Sequence, residues 1–138
     1  MRLMQSLMLT IITAGAIGAQ LPKPVTFEPD PYSVRRSGKG WSYPQDGWLV
    51  VHIEGTPHER GRQHGALLWR EIEKYVLAQA YTFSTAAPGD GWALARTLTN
   101  ALFLRRYAAE LLEEMQGIAD GAAAGGAQAF GRPVNLLD

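Results

Sequence analysis

Few side chains in this 138-residue sequence have types and spacings that could do chemistry, and most fall between positions 52 and 71. His58, Glu59 and His64 invite a metal reading. Two ligands on one helix must be three or four residues apart to share a face. His58 and His64 are six apart and point about 240° from each other around a helix axis. No metal or other cofactor is therefore expected. His52 could join His64, but nothing in the pattern requires it. Arg60, His64 and Glu71 form a tighter group, with projected directions within about 40° of each other. Such a group would suit the polar border of a pocket, with His64 as an acid or base near neutral pH. It would equally suit a boundary histidine beside an exposed ion pair. The sequence holds no cysteine, which excludes a cysteine nucleophile, a thiolate zinc site and a disulfide framework on this chain. It also lacks the Gly-x-Ser-x-Gly elbow of a serine hydrolase. Glu110, Glu113, Glu114 and Asp120, with Arg105 and Arg106, read as a solvated helix face.

The elements that must position these residues are partly legible. Thr56-Pro57-His58-Glu59 has the form of a helix start, with Thr56 as cap, Pro57 at the first helical position and Glu59 closing a capping box. Gly61, Gly65, Leu68, Ile72, Tyr75 and Gln79 then share one stripe at helical spacing, which predicts a helix from Pro57 to about Ala80. Interior glycines cost about 1 kcal/mol each relative to alanine, so Gly61 and Gly65 imply close approach of another backbone. Arg60, Arg62 and His64 surround the pair, which is incompatible with a transmembrane Gly-x-x-x-Gly contact. Before this helix, Trp48 to Ile53 is β-branched and nearly all apolar, predicting one strand buried on both faces. Residues 84–91 read as a turn. A second helical region is expected from about Trp92 to Ala123, with a break near Leu104-Arg105-Arg106 and fraying over Ala122 to Gly126. Phe130 to Pro133 reads as a turn, and Val134 to Asp138 as the start of an apolar element, which suggests a chain that continues past Asp138.

The N-terminal third has a different character. Residues 1–19 carry a positive start, an apolar stretch from Leu3 to Ala19 and a small-x-small site at Ala16-Ile17-Gly18, and read as a secretory signal peptide. The stretch is at the short limit for a bilayer span, so no stable membrane anchor is expected and the protein is placed outside the cytoplasm, secreted or periplasmic. Residues 20–47 hold prolines at 22, 24, 29, 31 and 44 and read as an extended, irregular lead-in with little sheet pairing. Within it, Val34 to Gly40 reads as a solvated basic loop. Thirteen basic and thirteen acidic residues balance, which leaves no net field to attract nucleic acid. A chain 46% hydrophobic and 19% charged is expected to fold, as a single domain.

Two stretches resemble one family. Ile53 to Gly65 (Ile-Glu-Gly-Thr-Pro-His-Glu-Arg-Gly-Arg-Gln-His-Gly) is similar to the Gly-Thr-Pro-x-Glu-x-Gly-x-x-x-Gly opening of the C45 peptidase family, autoproteolytic acyltransferases and hydrolases related to isopenicillin N acyltransferase. Leu111 to Ala122 resembles the Glu-Glu-x-x-Gly-Ile-Ala-x-Gly-Ala segment that follows in that family. Phospholipase B-like proteins share a similar opening, so an acyl-ester hydrolase is the neighbouring reading. The resemblance implies an N-terminal-nucleophile (Ntn) hydrolase, an αββα sandwich cut before an internal cysteine that then attacks amide or thioester carbonyls. It maps to the region upstream of that cut. Residues 48–138 would then be an α+β, mostly helical segment with one buried strand, completed by a downstream segment or large subunit carrying the nucleophile. Two explanations fit, a fragment of a longer precursor and a processed small subunit. Thr56, Pro57, Glu59, Gly61 and Gly65 are the structural motif in this reading, with the two glycines packing under the nucleophile-bearing sheet. No catalytic residue falls on the chain, and the substrate is a small acyl or amide compound. A small secreted helical binding or structural protein is the alternative from a different class.

Overall fold

The computed structural model describes residues 33–138. The expected signal peptide and the first part of the lead-in lie outside them. The fold is mixed α and β, mostly helical, with two small antiparallel sheets. In chain order the elements are β1 (Arg35–Ser37), β2 (Gly40–Gln45), β3 (Trp48–His52), α1 (Pro57–Leu67), α2 (Trp69–Phe83), α3 (Pro88–Leu102), a 3-10 turn (Leu104–Arg106), α4 (Ala109–Gly125), β4 (Gln128–Ala129) and β5 (Arg132–Pro133).

The sheet corrects the reading of the lead-in. The stretch read as a solvated loop is the β1–β2 hairpin, and β2 pairs in turn with β3, so three strands stand where one was expected. Asp46 (φ 49°) and Gly47 (φ 83°) make a two-residue turn of the primed type that matches strand twist. Pro44 does not prevent pairing. Gln45 and Trp48 flank that turn as a hydrogen-bonded pair, so the position of the missing Pro44 N–H faces away from β3, on the side of β1 and beyond its first residue, Arg35, in register. The expectation that β3 is buried on both faces also fails. Trp48 is 79% exposed, because among the described residues only one face of the sheet is covered. Helix α1 packs there on β2 and β1, over buried Gly40 and Ser42. On the other face Trp41 stacks on Tyr43 and on His52, with centroids 5.6 and 5.2 Å apart, and no element among the described residues covers the rings.

The single helix expected from Pro57 to Ala80 is two helices. The capping box is present, with Glu59 accepting from the Thr56 N–H at 2.9 Å. The break falls at Leu68 (φ −114°, ψ 19°). Leu67 is buried on one side of it, and on the other Trp69 lies over Gly125, where a Cβ would meet the ring at 2.7 Å. Both side chains need burial against different neighbours, and tertiary packing overrides a periodicity that runs through positions 66–70 without a glycine or proline at the break. Helix α3 begins at Pro88, inside the expected turn, with proline in the first helical turn where its missing N–H costs nothing. The break near 104–106 is a 3-10 turn, as the sequence suggests. The expected fraying at Ala122 to Gly126 is absent. Ala122 is fully buried, and α4 closes on left-handed Gly126 with Ala127 N–H bonding Ala122 O at 2.9 Å and Gly126 N–H bonding Ala123 O at 3.1 Å, a Schellman closure. Phe130 and Gly131 form the expected turn, between β4 and β5. The core cluster is Val76, Ala80, Trp92, Ala122, Ala127, Ala129 and Val134.

Candidate functional site

The centre of the molecule is the contact between α1 and α4. Gly61 and Gly65 face α4, and Gly117 and Gly121 face α1. A Cβ on Gly61 would run into the Glu114 carbonyl and lie 2.8 Å from Ile118 N. On Gly117 it would run into the His58 carbonyl and lie 2.9 Å from Arg62 N. Gly65 and Gly121 repeat the pattern one turn along, against Ile118 and Arg62 carbonyls. Four missing side chains therefore let two helix backbones touch. The close backbone expected at Gly61 and Gly65 is present, and it belongs to α4 rather than to a sheet.

Polar groups fasten the two helices beside this seam. Arg60 Nη2 is 2.6 Å from Glu114 Oε2 and 3.4 Å from Glu110 Oε1, and Arg60 Nη1 donates to Gly55 O at 3.2 Å. The carboxylate of Glu114 raises the Arg60 pKa and holds the charge in place. His58 Nε2 lies 3.0 Å from Asp120 Oδ2, and Gln116 donates to Asp120 Oδ1 at 2.7 Å. Glu114 and Asp120 thus tie α4 to α1, where the sequence suggested a purely solvated face. His64 is half-buried, and that burial lowers its pKa against the opposing pull of Glu114. Glu59 is lowered chiefly by the Thr56 N–H it accepts. Gln63 is buried and acts as a strand surrogate, accepting from Glu54 N at 3.0 Å and donating to Glu54 O at 2.8 Å.

Arg60, His64 and Glu71 are divided between two helices, the first two on α1 and the third on α2. Arg60 and His64 both sit by Glu114. Glu71 lies past the break on α2, where it lines a different feature. That feature is an open apolar groove of about 470 Å³, bounded by Leu68, Ile72 and Tyr75 from α2 and by Met115 and Ile118 from α4. The chain end closes part of it, and there the structure adds a cluster that sequence reasoning missed. The Asp138 side chain is 2% exposed. It accepts both Arg132 guanidinium nitrogens at 2.6 Å, Trp92 Nε1 at 2.9 Å and Asn135 N at 2.9 Å, with Arg96 Nε at 3.0 Å. Burial pushes the carboxyl up, but Arg132 and the two N–H donors outweigh it and leave the pKa below its ordinary value. Three of these partners lie on α3 and the β5 strand, which no local spacing would connect to position 138.

These groups fasten elements and border a groove. The Ser42 hydroxyl is fully buried beneath α1, and Thr56 Oγ1 is engaged with Glu59 at 2.8 Å. Among the described residues no three His, Asp or Glu side chains converge as metal ligands, and no helix is long and apolar enough to cross a membrane. Comparison of the chain with family models, with characterised proteins and with solved structures finds no match in any of the three.

Proposed function

We propose that residues 48–138 are the nucleophile-free N-terminal part of a secreted or periplasmic amidase or acyltransferase of the autoproteolytic Ntn type. It acts on amide or thioester bonds once a downstream segment or large subunit supplies the nucleophile. The observation that carries this reading is the α1–α4 seam. The two stretches that resemble the C45 family are separated by 45 residues in sequence. Their glycines meet in one reciprocal contact, Gly61 and Gly65 against Gly117 and Gly121. A shared ancestry of the two motifs would account for that coupling, since either pair of glycines alone would only weaken its helix. The layering supports the same reading. Helix α1 covers one face of the β1–β2–β3 sheet, and on the other face no element among the described residues lies over Trp41, Tyr43 and Val50, as in half of an αββα sandwich before its second sheet is added.

The test is made on the gene product isolated from its own medium or periplasm, with every N-terminus in the preparation determined. A co-purifying chain that begins with Cys, Ser or Thr is expected, together with hydrolysis of N-acyl p-nitroanilides that is lost when that first residue is replaced. Preference for glycerophospholipid acyl esters over amides would move the assignment to the phospholipase B-like reading. A lone, inactive, fully folded chain would defeat it.

A further inference from the structure

We infer that β3 is the interface through which two copies of this protein join, by antiparallel pairing of Trp48–His52 with the same strand of the second copy. The inference goes beyond the proposed activity and stands whether or not a second layer covers the groove.

The sheet has two edges, and they are built differently. The β1 edge carries Arg35 and Arg36, followed by Lys39 in the turn. Cationic side chains on an edge oppose the addition of another strand. The β3 edge is Trp-Leu-Val-Val-His, without Lys, Arg, Asp, Glu, Pro or Gly, and among the described residues no element other than β2 pairs with it. Its hydrogen-bonding groups can be assigned. The two-residue turn makes Gln45 and Trp48 a hydrogen-bonded pair, so Trp48, Val50 and His52 direct their N–H and C=O groups to β2. Leu49 and Val51 direct theirs outward, where no partner is found among the described residues. An exposed edge with free donors and acceptors and β-branched side chains is a template for a strand.

The strand is also complementary to itself. Centring a two-fold axis on Val50 places Leu49 of one copy opposite Val51 of the other, in the register where outward groups exchange hydrogen bonds. It places Val50 against Val50, and Trp48 against His52. A cross-strand indole–imidazole pair of this kind already exists within the sheet, between Trp41 and His52, with rings 5.2 Å apart and 12° from parallel. The dimer would continue that aromatic row across the axis on the uncovered face. Charge permits the approach. The chain is balanced overall, and the acid nearest the end of β3, Glu54, is met by Lys39 at 3.6 Å and His52 at 3.5 Å.

The experiment measures mass by light scattering and sedimentation over a wide concentration range, on the purified protein with all the chains it is made with. The natural protein is expected at twice the single-copy mass, dissociating on dilution. Val51→Pro removes an N–H that the protein's own sheet does not use, so it should halve the mass while leaving the circular dichroism and thermal midpoint nearly unchanged. Val51→Thr keeps the N–H and should remain dimeric. Hydrogen exchange at Leu49 and Val51 should slow as concentration rises, while Val50 stays constant. A single-copy mass at every concentration would overturn the inference, and so would a Val51→Pro protein that still dimerises. Amides of Leu49 and Val51 protected at every dilution, in a single-copy particle, would show that a strand of another segment holds the edge and would equally overturn it.

Discussion

At the scale of single residues, a glycine is read differently according to what its absent side chain would meet. At Gly61 a methyl group would meet backbone, the Glu114 carbonyl and Ile118 N. Backbone inside a helix cannot step aside without moving the helix. Gly61→Ala should therefore destabilise the protein by about 1–3 kcal/mol or more in urea unfolding, despite a gain of about 1 kcal/mol in helix propensity. At Gly89 the nearest atoms belong to the Phe130 ring at 3.3 Å, a side chain at the surface that can move. Gly89→Ala should be neutral or slightly stabilising. The burial of Gly61 and Gly65 was legible in the sequence, because both fall on the stripe of Leu68 and Ile72. Asp138 was not. Its partners Trp92 and Arg132 lie 46 and 6 residues away, at spacings that correspond to no single element. Arg132→Met leaves that 2%-exposed carboxylate short of its main partner and should cost about 3 kcal/mol. The sign with pH follows from the lowered pKa. The folded carboxyl sits below its ordinary value of 3.8, and the unfolded one sits near it. The contribution is complete above that value and is lost as pH falls from 3.8 toward the folded pKa. Arg132→Met should flatten this part of the stability profile measured by urea titration at acid pH.

Helices differ in how much of each is held by its neighbours. α1 is pinned by the capping box, by Gln63 on the Glu54 backbone and by α4 along its glycine face. α3 is held much less. It packs mainly on α2, its one buried side chain is Trp92, and Leu94, Leu98 and Leu102 are 63%, 48% and 50% exposed. Local opening scales with how little is buried. Backbone amides of α3 beyond Arg96 should exchange with solvent orders of magnitude faster than those of α1 and α4, when followed by mass spectrometry or NMR. Equal protection across the three helices would mean that α3 is covered on the face now exposed. The same contrast explains which elements the sequence disclosed. The start of α1 was legible because Thr56-Pro57-His58-Glu59 encodes its own cap. Its end was not, because the break at Leu68 carries no glycine or proline and arises from the opposed burial of Leu67 and Trp69. The β1–β2 hairpin was hidden by Pro44, whose position in register makes it harmless.

For the molecule as a whole, the balance of buried and exposed large side chains is unusual for a chain that must stand alone. Among the described residues the largest side chain under 2% exposed is Leu67, and the core cluster is mostly alanine. Tyr75, Tyr81, Phe83, Phe103 and Tyr107 are all more than 40% exposed. The mostly helical character was legible from the helical spacing of apolar residues. The thinness of the core was not, because spacing marks which face is apolar and not what covers it. Exposed apolar surface of this kind marks an interaction site, and on the proposed reading the complementing chain would cover the groove beside Tyr75 in addition to laying its second sheet on the Trp41 and Tyr43 face. The chain alone should accordingly bind the dye ANS strongly, and should lose that fluorescence when the complementing chain is added. Tyr75→Glu separates the groove from the core. The ring is 66% exposed, and surface substitutions change stability by about 0.5 kcal/mol or less. The variant should keep its urea midpoint, bind less dye and fail to co-purify with the complementing chain, because a carboxylate would be buried there without a cation to meet it. A variant that unfolds instead would make Tyr75 part of a self-sufficient core. One that still co-purifies normally would remove the groove from the assembly surface, leaving the uncovered face of the sheet, with Trp41 and Tyr43, as the side on which the second layer is laid.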